Sequence, residues 1–178
     1  MCAITHLRTG LCVLLVAGLL QPAAPGAAAQ QKDYLSGLEA DKIRDAEPPA
    51  ERIKLFISFA ADRLKKIQYE LSRTSPDRRR GQRVNDLLNA YAGCIDDAAE
   101  LIDLGVEQQH DIRDGIKELE SKGKEFLPYL EKLAASGEAN VSAFKDNLED
   151  AIEATRQALR DAQKAAKEMA PPPVRRKP

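Results

Sequence analysis

The stretch that decides the fold is Asn140–Met169, NVSAFKDNLEDAIEATRQALRDAQKAAKEM, near the end of the chain. Apolar or small side chains recur there every three or four residues, and most other positions are charged or polar. This period is typical of an amphipathic helix that packs one face on other helices. At about 1.5 Å per residue, the predicted helix spans roughly 45 Å. Its predicted apolar face consists of Val141, Phe144, Leu148, Ile152, Thr155, Leu159, Ala162, Ala166 and Met169.

Two segments near the start of the chain have the same helical period. A short first helix is predicted over Gly37–Asp45, where the residues of Ser36–Glu39 have the spacing of a capping box. Pro48-Pro49 ends this helix and allows a new one to begin, because proline is tolerated in a first turn. The second helix is predicted over Pro49–Ser72. Its main apolar face consists of Ile53, Ile57, Ala60, Leu64, Ile67 and Leu71.

Two more helices are predicted between these and the last one. Ser75-Pro76 is expected to start the third helix, which runs to about Leu104. The fourth is predicted over about 107–134, and Pro128 is expected to kink it or split it near Glu125. The inward residues of the third helix are Val84, Leu88, Tyr91, Ile95, Ala98 and Ile102. Those of the fourth are Ile112, Ile116, Leu119, Leu127, Leu130 and Leu133.

These elements predict an all-α fold. Strand signals are nearly absent, aromatic residues make up only 4% of the chain, and the connections between long helices are short. We therefore predict an antiparallel four-helix up-down bundle with a short extra N-terminal helix. The predicted parts are a signal peptide over 1–29, the short helix packing on the bundle over 30–48, the bundle over 49–170, and a disordered, proline-rich basic tail over 171–178.

The first 29 residues have the layout of a secretory signal peptide. His6 and Arg8 precede an apolar run over 11–20, and Ala27-Ala28-Ala29 fits a small-x-small cleavage site. That run is too short to cross a bilayer, which needs about 20 apolar residues. Cleavage near Ala29 predicts an exported chain, periplasmic or secreted. The remaining sequence is slightly acidic, which argues against general nucleic-acid binding.

Cysteine content limits the covalent chemistry of the mature chain. Cys2 and Cys12 lie in the predicted signal peptide, so Cys94 is the one cysteine that remains and no internal disulfide can form. It lies on the flank of the third helix's apolar face. We predict that Cys94 is a buried small apolar residue, and an intermolecular disulfide is the alternative.

The sequence offers little for catalysis. After the predicted cleavage site, His110 is the one histidine, and no nucleophile motif surrounds it. Glu107 and His110 have the Glu-x-x-His spacing of helical metal ligands, but di-metal bundles need that motif on two helices. Glu107 and His110 are thus the weak metal candidates, and a haem site using His110 and Met169 is weaker still. We predict no catalytic residues, no enzymatic activity and no cofactor.

An arginine-rich stretch, RTSPDRRRGQR, is the most unusual polar feature. It is predicted either to bind an anionic polymer or lipid head groups, or to be a solvated turn paired with neighbouring acids. In the predicted bundle the start of the third helix lies beside the start of the last one, so Asp146, Glu149 and Asp150 are expected to pair with these arginines. The arginines concerned are Arg73, Arg78, Arg79, Arg80 and Arg83.

The second helix has a second apolar patch, Leu55 and Phe59, away from its main face. A partner protein is one explanation for this patch. The other is that the short first helix folds back at Pro48-Pro49 and covers it, because Leu35, Leu38 and Ile43 otherwise have no place to be buried. The second explanation predicts that deletion of residues 30–46 exposes Phe59 and promotes association.

The stretch YLSGLEADKIRDAEPPAERIKLFISFAADRL, from Tyr34 to Leu64, resembles the start of small exported bacterial helical proteins of unassigned function. The resemblance implies export and a helical fold, and it assigns no functional residues. Our first hypothesis is a non-enzymatic exported bundle that binds a protein or an envelope component, with homo-oligomerisation open. The alternative is a membrane-surface protein that binds anionic lipid or polymer through the arginines. A metal or haem carrier is a third.

Overall fold

A computed structural model describes residues 34–74, 77–136 and 141–169. Its elements are α1 (Gly37–Asp45), α2 (Pro49–Ser72), α3 (Arg80–Glu107), α4 (Arg113–Ala135), a 3-10 turn (Val141–Ala143) and α5 (Lys145–Glu168). The fold is all-helical across these residues, with no strand among them. None of the described helices combines the length and the apolar character needed to cross a membrane.

The third helix begins later than the sequence predicts. It starts at Arg80 rather than near Ser75-Pro76, which lies outside the described residues. Asp77 organises the start: its Oδ1 accepts from the backbone N–H of Arg79 at 2.9 Å, and its carbonyl accepts from Arg80 N–H at 3.2 Å. An aspartate that binds the backbone two residues ahead holds a turn before a helix can propagate. Because of this loop at Asp77, α3 begins one helical turn later than predicted.

The connection between α3 and α4 also differs from the prediction. Helix α3 continues to Glu107, and α4 begins only at Arg113. Gln109 has a φ of 56°, a left-handed conformation that no helix interior allows. The N–H of His110 then donates to the carbonyl of Gly105 at 2.9 Å. The predicted start of the fourth helix at Glu107 is therefore wrong, because the chain turns there. Pro128 was predicted to kink the fourth helix or split it near Glu125. The split is wrong, since α4 continues through Pro128, and the kink stays a prediction.

The long helices surround one core, and their neighbours are not those expected from chain order. Helix α2 packs on α3 and α4, and α5 packs on the same two, whereas α3 and α4 scarcely touch. Helices α3 and α5 run in the same direction, because Asn85 bonds Asn147 and, further along both helices, Tyr91 bonds Thr155. Helices that follow each other in sequence are thus not always adjacent.

Burial follows the predicted faces closely. All six inward residues predicted for α3 are buried, and five of the six predicted for the main face of α2 are. Helix α5 departs from the prediction at its end, because Ala166 is exposed and Ala165 takes the inward position. The buried face of α5 also includes Ala151 and Ala158. These small side chains let neighbouring helices approach α5 closely.

One polar pair lies inside the core. The Tyr91 hydroxyl bonds the Thr155 Oγ1 at 2.7 Å, and the Thr155 hydroxyl donates to the Ala151 carbonyl at 2.7 Å. Because Thr155 uses its hydrogen on the carbonyl, Tyr91 is the donor to Thr155. The Phe126 ring meets Tyr91 edge-on, with centroids 5.9 Å apart. Both hydroxyls are satisfied, so this pair links α3 to α5 without an orphaned buried group.

Two glycines in α4 lie where neighbouring helices come closest. A methyl group added at Gly115 would lie 3.0 Å from the Cβ of Ile53 in α2. One added at Gly123 would lie 2.8 Å from Leu159 Cδ2 in α5. Glycine has a low helix propensity, so these two residues lower the stability of α4 itself. The close approach of α2 and α5 explains why larger side chains do not fit there.

We expect Gly115→Ala to lower the free energy of unfolding by about 1 kcal/mol. Ile53 cannot move aside, because a β-branched side chain is stiff at its first torsion, and overpacking costs about 1–3 kcal/mol. The gain in helix propensity, up to about 1 kcal/mol, offsets part of that cost. Urea unfolding measures the difference. Gly37→Ala is the matched control, since nothing lies within 4 Å of the added methyl. A stabilising Gly115→Ala would contradict the contact.

Candidate functional site

The arginine cluster surrounds the turn between α2 and α3, and two of its members hold that turn together. Arg83 Nη2 lies 2.7 Å from Glu70 and 2.6 Å from Asp77, and Arg73 Nη1 lies 3.5 Å from Glu70. Hydrogen bonds from Arg83 lower the pKa of Glu70 and the pKa of Asp77. Arg83 and Arg73 are thus engaged with acids of α2 and the turn.

The predicted pairing of this cluster with α5 is only half right. The start of α3 does lie beside the start of α5, since Asn147 Nδ2 donates to Asn85 Oδ1 at 2.9 Å. However, no ion pair among the described residues joins the cluster to Asp146, Glu149 or Asp150. Glu70 and Asp77 are nearer in the fold and take Arg83 instead. Pairing with neighbouring acids was the other prediction for this cluster, and Glu70 and Asp77 are such acids.

The other three arginines differ in their exposure to solvent. Arg80 Nη2 donates to the carbonyl of Arg73 at 2.6 Å, which ties the start of α3 to the end of α2. Arg78 and Arg79 are exposed, and neither is in an ion pair within residues 34–74, 77–136 and 141–169. These two side chains are the part of the cluster that presents positive charge outward.

A buried polar network, the N-terminal clasp, joins the segment before α1 and α1 itself to α2 and α3. We define it as Tyr34, Glu39, Arg63 and Asp97. Arg63 donates to both carboxylate oxygens of Glu39, at 2.9 and 2.8 Å, and to the Tyr34 carbonyl at 3.3 Å. The Tyr34 hydroxyl donates to Asp97. Arg63 and Asp97 are buried, at 6% and 7% exposed, whereas Tyr34 and Glu39 are half-buried.

Glu39 has two roles in the clasp. The predicted capping box is confirmed, because Glu39 accepts from Ser36 N–H at 2.9 Å while its own N–H donates to Ser36 Oγ at 3.3 Å. The same carboxylate also accepts two hydrogen bonds from the Arg63 guanidinium. These hydrogen bonds from Arg63, with those from Ser36, lower the pKa of Glu39 to about 2. The capping motif therefore also fixes α1 on the body of the protein.

The Tyr34 ring packs face-on against α3 at Gly93, which has no side chain. A methyl group added at Gly93 would lie 2.8 Å from the ring's Cε1. The sequence signals for this contact are Gly93 inside a helical pattern and Arg63 near the apolar face of α2. Neither signal identifies the other partner, because Tyr34 and Asp97 are 63 residues apart.

The second apolar patch of α2 is mostly buried. Phe59 is 8% exposed, and Leu55, Leu35 and Ile43 are half-buried against the core. The expectation for Leu38 is wrong, since it is 76% exposed and points away from the body. In the short helix Ile43 is half-buried and Leu38 is exposed, and the clasp supplies the polar attachment.

Acid should remove the stabilisation that Glu39 provides. Its pKa is about 2 in the folded chain against an ordinary 4.5, so the stabilisation is complete above pH 4.5 and is lost as the pH falls through about 2. The full effect is up to about 3 kcal/mol. Urea unfolding of the wild type and Glu39→Gln should differ most at neutral pH and converge near pH 2. A pH-independent difference would contradict this assignment.

Cys94 and the two metal candidates lie in different settings. Cys94 is fully buried, which confirms the predicted burial and leaves the thiol out of reach of a second chain in this conformation. Glu107 ends α3 and His110 lies exposed beyond the left-handed Gln109, so they do not share a helical face. Across the described residues, no three or more metal-ligating side chains gather in one place.

An open groove lies between α2 and α4 and encloses about 390 Å³. Apolar side chains of both helices form its floor, and charged side chains of both signs, together with Gln68, form its rim. We call this the α2–α4 groove. The floor residues are Ile57, Ala61, Leu64, Phe126 and Tyr129. The rim residues are Lys65, Gln68, Glu118, Lys122 and Glu125.

The rim charges are only partly paired with each other. Lys122 Nζ lies 3.0 Å from Glu125. Lys65 and Glu118 are in no ion pair within the part of the chain that the structure describes. Sequence reasoning missed the groove, because its residues come from two helices that are not consecutive. No protein-family model, curated protein or solved structure matches this chain.

Proposed function

We propose that the chain is an exported, non-enzymatic helical-bundle protein that binds another protein of its compartment through the α2–α4 groove. Export rests on the signal-like residues 1–29 and on the resemblance of the 34–64 stretch to exported helical proteins. The observation that carries binding is the groove itself, an open depression between α2 and α4 whose apolar lining is flanked by charged side chains of both signs.

The bundle is part of the same proposal. We infer that α2 to α5 form one four-helix bundle in which direction alternates along the chain. The contacts that support this are Arg83 with Glu70 at the α2–α3 turn, the parallel pairs between α3 and α5, and Arg156 with Glu131 at 2.7 Å between α5 and α4. In this bundle α3 and α4 lie diagonally opposite each other, so their connection crosses the end of the bundle. Helices α2 and α4 are then parallel neighbours, and the α2–α4 groove lies between them.

The groove fits an amphipathic helix of the partner. Such a helix inserts an apolar stripe between two helices and places its flanking charges against a rim of both signs. Tyr129 is a half-buried aromatic residue of the kind that anchors interfaces, whereas the ring of Phe126 is buried against Tyr91. Lys65 and Glu118 lie on opposite rims, so a partner helix with an acid on one side and a base on the other complements them.

Site-specific cross-linking tests this function. A photo-reactive phenylalanine at Gln68, an exposed groove residue, should capture a partner in cells of origin, and one at Gln163, exposed on α5, should not. Ala61→Trp fills the floor and should abolish capture from Gln68. Ala166→Trp, at an exposed α5 position, should leave capture intact. Equal capture at both positions, or capture that survives Ala61→Trp, would refute the groove.

A second function is favoured by the two outward arginines. Arg78 and Arg79 carry positive charge with no ion pair among the described residues, which suits an anionic lipid or polymer surface. Sedimentation with vesicles containing phosphatidylglycerol at low salt should then depend on both side chains. Arg78→Glu with Arg79→Glu should release the protein, and Lys145→Glu should not. No sedimentation of the wild type would remove this function.

A further inference from the structure

Residues 34–45, which we call the strap, lie along α2 and are fastened to it at both ends. At the C-terminal end of the strap, Arg52 Nε donates to the carbonyl of Ala46 at 2.9 Å. At the N-terminal end, Arg63 donates to both carboxylate oxygens of Glu39. Arg52 and Arg63 are about three turns apart on α2, so α1 lies antiparallel to α2.

The strap is held by shallow contacts. Among the described helices, α1 alone has no buried residue. The apolar attachment comes from Tyr34, Leu35 and Ile43, and all three are half-buried. A segment with few buried apolar side chains opens at a lower free energy than the core around it. The strap therefore depends on the clasp more than any other described helix depends on a polar contact.

Cys94 lies in the seam between α2 and α3 that the N-terminal end of the strap covers. It directly follows Gly93, where the Tyr34 ring packs, and it lies one helical turn before Asp97, which bonds the Tyr34 hydroxyl. Hydrogen bonds with the clasp glutamate raise the pKa of the Arg63 guanidinium, and the nearby Cys94 thiol adds to this effect. Cys94 is fully buried, and Tyr34 covers its surroundings on α3.

We propose that the strap opens at its Arg63 end, hinges at Ala46 and uncovers the α2–α3 seam at Cys94 while α2 to α5 stay folded. In the closed state the Tyr34 ring and the clasp keep solvent from the thiol. In the open state the clasp is broken, the hinge bond of Arg52 persists and the thiol meets solvent. The strap is thus a lid over the seam, and the clasp determines how often it opens. The proposal does not depend on the α2–α4 groove.

Alkylation of Cys94 by iodoacetamide in the full chain tests the opening. Digestion and mass spectrometry identify the peptide that contains Cys94, which separates it from Cys2 and Cys12. In the wild type the rate should exceed the rate that global unfolding allows. It should also depend on urea much less steeply than global unfolding does, because opening of a short strap exposes little surface. Alkylation that follows global unfolding in both respects overturns the proposal.

Gly93→Ala separates opening of the strap from global unfolding. The three atoms nearest to the added methyl all belong to Tyr34, at 2.8 to 3.0 Å, so the change displaces the strap. Alkylation should become roughly tenfold faster or more. The urea midpoint should change little, because alanine favours the α3 helix more than glycine does. Gly37→Ala is the matched control and should not speed alkylation, since nothing lies within 4 Å of its methyl.

Glu39→Gln weakens the clasp itself. Alkylation should become between about tenfold and 300-fold faster, the larger factor corresponding to the fall in the pKa of Glu39 from 4.5 to about 2. Glu153→Gln is the control, because Glu153 pairs with Arg160 at 2.7 Å and both side chains are more than half exposed. Each rate is divided by that of the same variant unfolded in urea, which removes differences in thiol reactivity. An unchanged rate in either Glu39→Gln or Gly93→Ala overturns the proposal.

Discussion

Replacement of Phe144 by alanine should lower the free energy of unfolding by about 3–5 kcal/mol, the usual cost of deleting a fully buried aromatic side chain. Phe144 is 2% exposed and lies in the core at the start of α5. Its N–H donates to the Val141 carbonyl at 3.0 Å, and its own carbonyl receives the N–H of Leu148 at 3.0 Å. The ring thus anchors the point where the 3-10 turn passes into α5, and neighbouring backbone cannot collapse easily into the space it leaves.

Urea unfolding followed by far-UV circular dichroism measures this loss. Tyr69→Ala is the matched control, because Tyr69 is an aromatic residue that is 65% exposed. Its replacement should change the unfolding free energy by less than about 0.5 kcal/mol. Similar losses in the two variants would mean that Phe144 does not occupy the core.

Arg63→Ala should cost about 3 kcal/mol at neutral pH. The figure follows from Glu39, whose pKa falls from 4.5 to about 2, mainly through hydrogen bonds from Arg63. The arginine is nearly excluded from water, so little solvent screening weakens the pair. Loss of the guanidinium should also release α1, which amide hydrogen exchange of residues 37–45 would detect as lost protection.

Arg83→Ala is the matched arginine control. Arg83 also contacts two carboxylates, at 2.7 and 2.6 Å, but its side chain is 35% exposed. Water and salt screen such a pair, so the loss should be much smaller than for Arg63. Equal losses would mean that burial does not distinguish the clasp from the arginine cluster. Exchange in α1 should stay slow in this variant.

The helices and most of the core could be predicted from the sequence because their signals are local. Each long helix has an apolar face that repeats every three to four residues, and burial of Val84 through Ile102 in α3 follows that repeat. The α3–α4 turn was predicted too early in the chain for the same reason: Glu107–Ile112 continues a helix-compatible pattern, and the left-handed Gln109 breaks it. Asn, Asp or Gly would have signalled the turn, and glutamine does not.

The candidate sites were harder to predict because they depend on contacts between distant segments. The arginine cluster was visible as a run of one residue type, yet its pairing with Glu70 depends on how tightly α2 and α3 meet. The groove requires α2 and α4 to be neighbours, which chain order does not imply. The clasp joins Tyr34 to Asp97, and no periodic pattern connects them. The local repeat of apolar residues predicts which face of each helix is buried. Which helices pack against each other depends on the whole core.

The buried hydroxyl pair of Tyr91 and Thr155 has an optical consequence. The chain has no tryptophan and four tyrosines, so its near-ultraviolet absorption and dichroism come mostly from phenol rings. Tyr91 is the fully buried one, fixed edge-on against Phe126, and burial raises the pKa of its phenol. Its dichroic band should therefore report the α3–α5 contact directly. In an alkaline titration the Tyr91 phenol should ionise last, when the two helices separate.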